Sequence, residues 1–180
     1  MLLILALGTV MANHSHARDT TAAAAAQRAA AAQLIAATPA DQRSELVQAF
    51  DLGARANWHY TPRKRAGVPL AHMREAQRRA AQQLLAAALS DRGLKQVRAV
   101  IALEIALREL EGSAMRDPEN YALAIYGKPD ASAWGWRIEG HHLSLHFSLD
   151  GTRVVSSLPQ FLGANPAEVP RDFANGPRKG

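Results

Sequence analysis

The sequence contains no cysteine. A disulfide framework, a thiolate nucleophile and a cysteine-ligated zinc site are therefore excluded, while the cellular compartment stays open. Aromatic residues make up only 6% of the chain, so each tryptophan and phenylalanine is expected to hold a defined position. The sequence also lacks a P-loop, a dinucleotide-binding fingerprint, a G-x-S-x-G motif and an internal repeat.

The charge of the chain is moderately basic, with a formal net charge of +5. Such an excess can indicate a nucleic-acid partner when the basic residues cluster on one face. Here they are scattered, and the densest run, Arg63-Lys64-Arg65, is short and not interleaved with aromatic residues. We therefore expect no nucleic-acid binding.

The N-terminus has the pattern of an export signal. An apolar run from Leu2 to Ala12 is too short to cross a bilayer, and it is followed by Ser15-His16-Ala17, a small-x-Ala pattern typical of signal-peptidase sites. The positive n-region is missing. We interpret residues 1–17 as a signal peptide with an incomplete n-region, and we expect an exported protein, periplasmic or extracellular, without a stable membrane span after signal removal. The alternative is a buried or frayed N-terminal helix.

The remaining chain divides into an alanine-rich stretch and one domain. Residues 18–38 are almost entirely small or polar, with only Leu34 and Ile35 to bury, which predicts a linker or a marginal helix. Residues 39–180 have the length and apolar content of a single domain.

Three helices are predicted in the first part of that domain. Thr38-Pro39 is typical of a helix start, so a helix is expected from there to about Arg55. Two further helices are expected, at Met73–Leu89 and Leu94–Glu111. The segment Asp91-Arg92-Gly93 is expected to end the first of them, with the glycine as the C-terminal stop.

Glu104 lies within the apolar stripe of the last of these helices. A buried glutamate is costly unless it is paired. One interpretation is a pair with Arg108 at the edge of the stripe. The interpretation that we favour is that Glu104 points inward at the sheet and meets Arg137 or a histidine.

Four short strands with turns between them follow, at Tyr121–Tyr126, Trp134–Glu139, Leu145–Leu149 and Arg153–Ser157. Asp150-Gly151 is a hairpin signal. The fold class is therefore α+β, with N-terminal helices packed on a small antiparallel β-meander of about four strands. Nothing after Pro166 has a period or an apolar cluster, which predicts an unsupported C-terminus.

The stretch from Ala133 to Phe147 is the most informative in the chain. Side chains alternate across a strand, which places Arg137 and Glu139 opposite the tryptophans and Ile138. A strand from His141 would present His142, Ser144 and His146 on one face and apolar side chains on the other. This alternation predicts a solvated polar face, on which the histidines either bind a metal or are only solvated.

A second dense segment, Asn57 to Arg63, combines large and polar residues without a helical period. Arg63 is a candidate for binding a carboxylate or a phosphate. Alternatively, Trp58 and Tyr60 anchor the core and His59 has no special role.

The candidate site combines both segments with Glu104. A divalent metal would be held by His59, Glu104 and His142, and Glu139 or His141 would act as the catalytic base. The candidate ligand-binding residues are Asn57, Trp58, His59, Arg63, Arg137 and Ser144. A bound divalent ion lowers the pKa of its water towards about 7, which makes hydrolysis feasible.

Three functions are open on this basis. The first is a metal-assisted, hydrolase-like enzyme of the bacterial envelope. The second is a non-catalytic module for a small molecule, in which Trp134 and Trp136 form a platform while Arg63 and Arg137 grip a carboxylate or a sugar acid. The third is a structural envelope domain.

Four motifs occur together in order: N-W-H-Y-x-P-R at 57–63, L-E-x-x-L-R-E-L-E at 103–111, W-G-W-R-x-E-G-H-H-L-S-L at 134–145 and F-L-G-A-N-P at 161–166. From about Leu46 to its end, the chain resembles the bacterial family called domain of unknown function 3500 (DUF3500). The resemblance implies an exported and longer protein of which this chain lacks a C-terminal part. It implies no activity. His146 departs from the asparagine expected in relatives, which leaves His141 and His142 as the better candidate ligands.

Overall fold

The computed structural model describes residues 20–180. The predicted signal peptide at residues 1–17 lies outside this part of the chain. The helices are α1 (Thr20–Ala37), α2 (Arg43–Leu46), α3 (Leu52–Ala56), α4 (Glu75–Ala88) and α5 (Asp91–Glu111). The strands are β1 (Val47–Gln48), β2 (Val68–Pro69), β3 (Ala122–Tyr126), β4 (Trp134–Gly140), β5 (Leu143–Leu149), β6 (Val154–Ser156) and β7 (Gln160–Leu162).

The sheet is built on the predicted meander. Strands β3, β4, β5 and β6 pair antiparallel in sequence order. Three short strands extend it: β1 lies parallel to β3, β2 lies antiparallel to β3, and β7 lies antiparallel to β5. The α+β class is confirmed, and the sheet has seven strands instead of about four.

One face of the sheet is apolar and forms the core together with α1, α4 and α5. Trp134 and Trp136 are 0% and 1% exposed, and Trp136 stacks on Phe147 with ring centroids 4.4 Å apart. The predicted alternation along β4 is therefore confirmed. The same burial means that the two tryptophans form no exposed platform for a ligand, which corrects that part of the binding hypothesis.

Helix α1 is part of this core. Its small side chains allow a close approach to α4, since the distance between packed helices depends on the side chains at the contact. Ala31 and Leu34 are fully buried, and Gln27 accepts a hydrogen bond from the indole N–H of Trp136 at 2.9 Å. The alanine-rich segment that the sequence predicts to be a linker or a marginal helix is thus an integral helix of the fold.

Replacing Gln27 with alanine is expected to destabilise the fold by about 1–3 kcal/mol, because the buried indole N–H of Trp136 would lose its acceptor. Urea denaturation followed by tryptophan fluorescence measures the change. Gln33→Ala, at an exposed position of the same helix, is the matched control and should be close to neutral. Equal effects of the two substitutions would contradict a structural role for Gln27.

The predicted helix from Thr38 to Arg55 is wrong. The Thr38 hydroxyl donates to the Leu34 carbonyl at 2.7 Å and closes α1 from within, as serine and threonine do near helix ends. After the short α2, the chain turns extended to pair β1 with β3, a long-range contact that overrides local helix preference. Asp51, whose carboxylate accepts from Gly53 N–H at 2.7 Å, then caps α3.

Two further boundaries differ from prediction. Gly93 does not stop α4; it lies in the first turn of α5, where its N–H donates to the capping Ser90 hydroxyl at 3.1 Å. The C-terminus is not unsupported, because Val169 and Phe173 are buried against Ala106 in a second, smaller apolar cluster. Within residues 20–180, none of the helices combines the length and the hydropathy needed to cross a bilayer.

Candidate functional site

The second face of the sheet carries polar side chains. The register places Arg137 opposite His146 and Glu139 opposite Ser144. These four side chains are all buried, because residues 50–66, called here the cover segment, cross over them between β1 and β2. The expectation of a solvated polar face is therefore wrong.

Glu139 is the centre of an ion network beneath the cover segment. Its Oε1 accepts hydrogen bonds from Arg65 Nε at 3.1 Å and from the backbone N–H of His59 at 3.0 Å. Its Oε2 lies 2.9 Å from Arg137 Nε, an ion pair whose angles do not meet those of a hydrogen bond. The three side chains are only 2–3% exposed. Burial lowers the pKa of the Arg65 guanidinium, which the adjacent carboxylate partly opposes.

Arg137 is also anchored from the other side. Its Nη1 lies 3.2–3.4 Å from the carbonyl oxygens of Ala54, Arg55 and Asn57, around the C-terminal end of α3. Helix C-termini present unsatisfied carbonyls that suit a cation. Its Nη2 donates to no acceptor among residues 20–180. The guanidinium is thus held rigidly and keeps donor capacity.

A pocket of about 160 Å³, called here the basic pocket, opens beside this guanidinium. It is lined by Ala54, Asn57, His59, Arg63, Lys64, Arg65, Ala66, Arg137 and Glu139. Four cationic side chains therefore face one carboxylate, which is already paired. The structure brings together the predicted residues Asn57, His59, Arg63, Arg137 and Glu139.

Ser144 and Trp58 lie apart from the basic pocket. Ser144 is fully buried, with its hydroxyl oxygen 2.8 Å from His146 Nε2, and Trp58 packs edge-on against the His146 ring. Burial, with Arg137 and Arg55 nearby, lowers the pKa of His146 to about 4, so its imidazole is neutral at pH 7. Neither Ser144 nor Trp58 is placed to touch a ligand in the pocket as the sequence suggests.

Glu104 forms a second cluster with the turn that joins β4 to β5. Glu104 is 2% exposed, and its Oε1 lies 2.5 Å from His141 Nδ1. The prediction that Glu104 points inward and meets a histidine is confirmed, and Arg137 is not its partner. Burial raises the pKa of Glu104 to about 7 and, with Arg116 and Arg65 nearby, lowers that of His141 to about 4. Burial thus favours the neutral form of each group, and at pH 7 His141 is neutral while Glu104 is about half protonated.

His142 lies in that turn and not on the strand. Its φ of 54° is in the left-handed region, its N–H donates to the Tyr60 carbonyl at 2.9 Å, and its Nδ1 is buried without a hydrogen-bond partner in the part of the chain described. Gly140 is the last residue of β4, and only glycine fits there because a Cβ would lie 1.9 Å from the Tyr121 ring. The prediction of a strand starting at His141, with His142 beside Ser144, is wrong because β5 starts only at Leu143, after the turn that holds both histidines.

The predicted metal triad is not assembled. His59 Nε2 lies 3.1 Å from Asn57 Oδ1 at the basic pocket, whereas Glu104 is paired with His141 in the second cluster. Across residues 20–180 no three histidine, aspartate or glutamate side chains are grouped as metal ligands. The single pocket of imidazole, acid and guanidinium expected from the sequence is thus two clusters.

Sequence reasoning missed Arg65 and Lys64. Only Arg63 of the run Arg63-Lys64-Arg65 is a candidate from the sequence, yet Arg65 pairs with Glu139, 74 positions away. The only local signal was a basic run directly after the dense segment at 57–63.

Fold and site together define an α+β domain in which a buried arginine–glutamate network supports a basic pocket. The family model described as "Protein of unknown function (DUF3500)" matches residues 20–180. The chain belongs to this family, which confirms the resemblance seen in its motifs. No curated protein and no solved structure matches the chain.

Proposed function

We propose that this domain binds a small organic anion, with the acid group seated in the basic pocket between Arg137 and Arg63. The observation that carries the proposal is the buried Arg137, whose Nη2 lacks an acceptor within residues 20–180 and which lines the pocket together with Arg63 and Lys64. The Nη2 N–H groups can donate charge-assisted hydrogen bonds to a carboxylate, which are stronger than hydrogen bonds between neutral groups.

The rigidity of Arg137 supports binding. Glu139 and the carbonyl oxygens at the end of α3 hold its guanidinium before any ligand arrives. The free-energy cost of ordering these side chains when a ligand binds is then smaller, and preorganisation of this kind raises affinity. Arg63 and Lys64 are exposed at the pocket and add charge that attracts an anion.

The state of Glu139 favours binding over hydrolysis. One of its oxygens accepts two hydrogen bonds, and the other lies against Arg137. In this setting the carboxylate acts as the counter-ion of two arginines and is not placed as a free base. An exported location and the absence of a nucleic-acid partner are part of the proposal, and they rest on the sequence pattern alone.

Titration of the ¹⁵N-labelled protein with sodium acetate and with inorganic phosphate tests the proposal. Saturable shifts are expected at the arginine side-chain Nε–H resonances and at the His59 amide, with a dissociation constant on the order of millimolar for so small an anion. Arg63→Ala should weaken binding about three- to tenfold, the effect of removing one charge-assisted contact at an exposed site.

Lys95→Ala is the matched control, because it removes an exposed positive charge on α5, away from the pocket. It should leave the affinity unchanged. The proposal is wrong if neither anion gives saturable shifts, or if Lys95→Ala weakens binding as much as Arg63→Ala does.

A further inference from the structure

A larger cleft adjoins the basic pocket. Its volume is about 430 Å³, and it shares the lining residues Arg63, Lys64 and Arg65 with the basic pocket. We call it the apolar cleft, because its remaining wall is mainly apolar, contributed by Pro62, Pro69, Met115 and Ala122.

Met115 is the most unusual part of this wall. It is a large apolar side chain that is 62% exposed, and it lines the apolar cleft but not the basic pocket. An apolar surface beside a few placed polar groups is the usual composition of a small-molecule site. The charge on one side and the apolar wall on the other match a ligand with one acid end and one hydrocarbon end.

We propose that the ligand is an elongated monocarboxylate whose acid group lies in the basic pocket and whose hydrocarbon body lies along the apolar cleft. This inference rests on the proposed anion binding and names the chemical class of the ligand. The basic tripeptide Arg63-Lys64-Arg65 lies between the acid group and the hydrocarbon body of the ligand, since it lines both the basic pocket and the apolar cleft.

Glu45 sets the preference for a single acid group. Its side chain lines the apolar cleft with His72 and Asn120, in the part of the wall that the basic pocket does not share. A second carboxylate lying there, beyond the basic residues Arg63, Lys64 and Arg65, would meet this like charge, which is unfavourable. A monocarboxylate therefore binds better than a dicarboxylate of the same length.

A chain-length series tests the inference by calorimetry and by the same NMR titration. Acetate, butanoate, hexanoate and octanoate are compared, and the affinity is expected to rise up to about fourfold for each methylene that is buried. Octanedioate is expected to bind more weakly than octanoate, and Glu45→Gln should narrow that difference in affinity.

Acetate binding without any gain in affinity along the series would overturn the inference of an elongated ligand and leave the proposed anion site intact. Failure of acetate to bind would instead contradict the proposed anion site itself.

Two variants separate the apolar cleft from general hydrophobic binding. Met115→Asp should weaken octanoate binding by about fivefold or more and leave acetate binding nearly unchanged, because only the body contacts this side chain. Leu158→Asp, at another exposed apolar residue outside both spaces, is the control and should change neither. The inference would be overturned if the two variants lost octanoate affinity equally, or if Arg63→Ala left octanoate binding unchanged.

Discussion

Replacing Glu139 with alanine is expected to lower the free energy of unfolding by about 3–5 kcal/mol, the cost of leaving a buried ion pair with one partner missing. Glu139 lies between Arg65 and Arg137, and each of the three side chains is at most 3% exposed. Without the carboxylate, two guanidinium groups would be buried side by side with no negative charge between them. The His59 N–H would also lose its acceptor.

Urea denaturation at pH 7 measures this loss. Glu75→Ala is the matched control, because it breaks the exposed pair that Glu75 forms with Arg79 on α4. Exposed pairs of this kind contribute about 0.3–0.5 kcal/mol. A loss below about 1 kcal/mol for Glu139→Ala would mean that water reaches the network and replaces the carboxylate, and the rigid Arg137 required for binding would then be doubtful.

The parts of the fold that were predicted correctly depend on local periodicity. Alternation along β4 placed Trp136 and Arg137 on opposite faces, and the structure agrees, with Trp136 in the core and Arg137 on the polar face. The three- and four-residue spacing of α5 placed Glu104 on its buried side. These predictions succeed because each side-chain direction follows from the position of the residue in one element.

The parts that failed depend on contacts between distant segments. No periodic signal shows that residues 50–66 cover the polar face, because that segment has little regular structure and its partners are far along the chain. Local sequence therefore indicated a polar face correctly but could not show that Ser144 and His146 are shielded from water. The pairing of β1 with β3 is missed for the same reason.

The sequence predicted which residues belong to the candidate site better than it predicted where each of them lies. Arg63, Arg137, His59 and Asn57 do line one pocket. His142 does not line it, because same-face spacing does not continue through Gly140 into the following turn, and Glu104 is paired with His141 in the second cluster. A left-handed residue such as His142 resets the alternation, so faces cannot be counted across it.

The pH dependence of stability should show that burial favours the neutral form of Glu104. Its pKa is raised from 4.5 to about 7 by burial, so the folded state binds the proton more tightly than the unfolded state. The resulting stabilisation is fully present below pH 4.5 and is lost as the pH rises through 7. His141 acts in the opposite direction, because its pKa is lowered from 6.5 to about 4: its contribution is present above pH 6.5 and is lost as the pH falls through 4.

Glu104→Gln isolates the first of these effects, because the glutamine amide can donate to His141 Nδ1 as the neutral acid does, while it cannot ionise. The variant should match the parent near pH 4.5 and be more stable by about 3 kcal/mol at pH 8, where the parent buries a carboxylate. Urea denaturation at several pH values between 4.5 and 8 measures the difference. Glu109→Gln, at an exposed site on the same helix, should show little pH-dependent change. A Glu104→Gln difference that stays constant from pH 4.5 to 8 would mean that Glu104 is ionised throughout, and the Glu104–His141 contact would then be a salt bridge with the imidazole protonated.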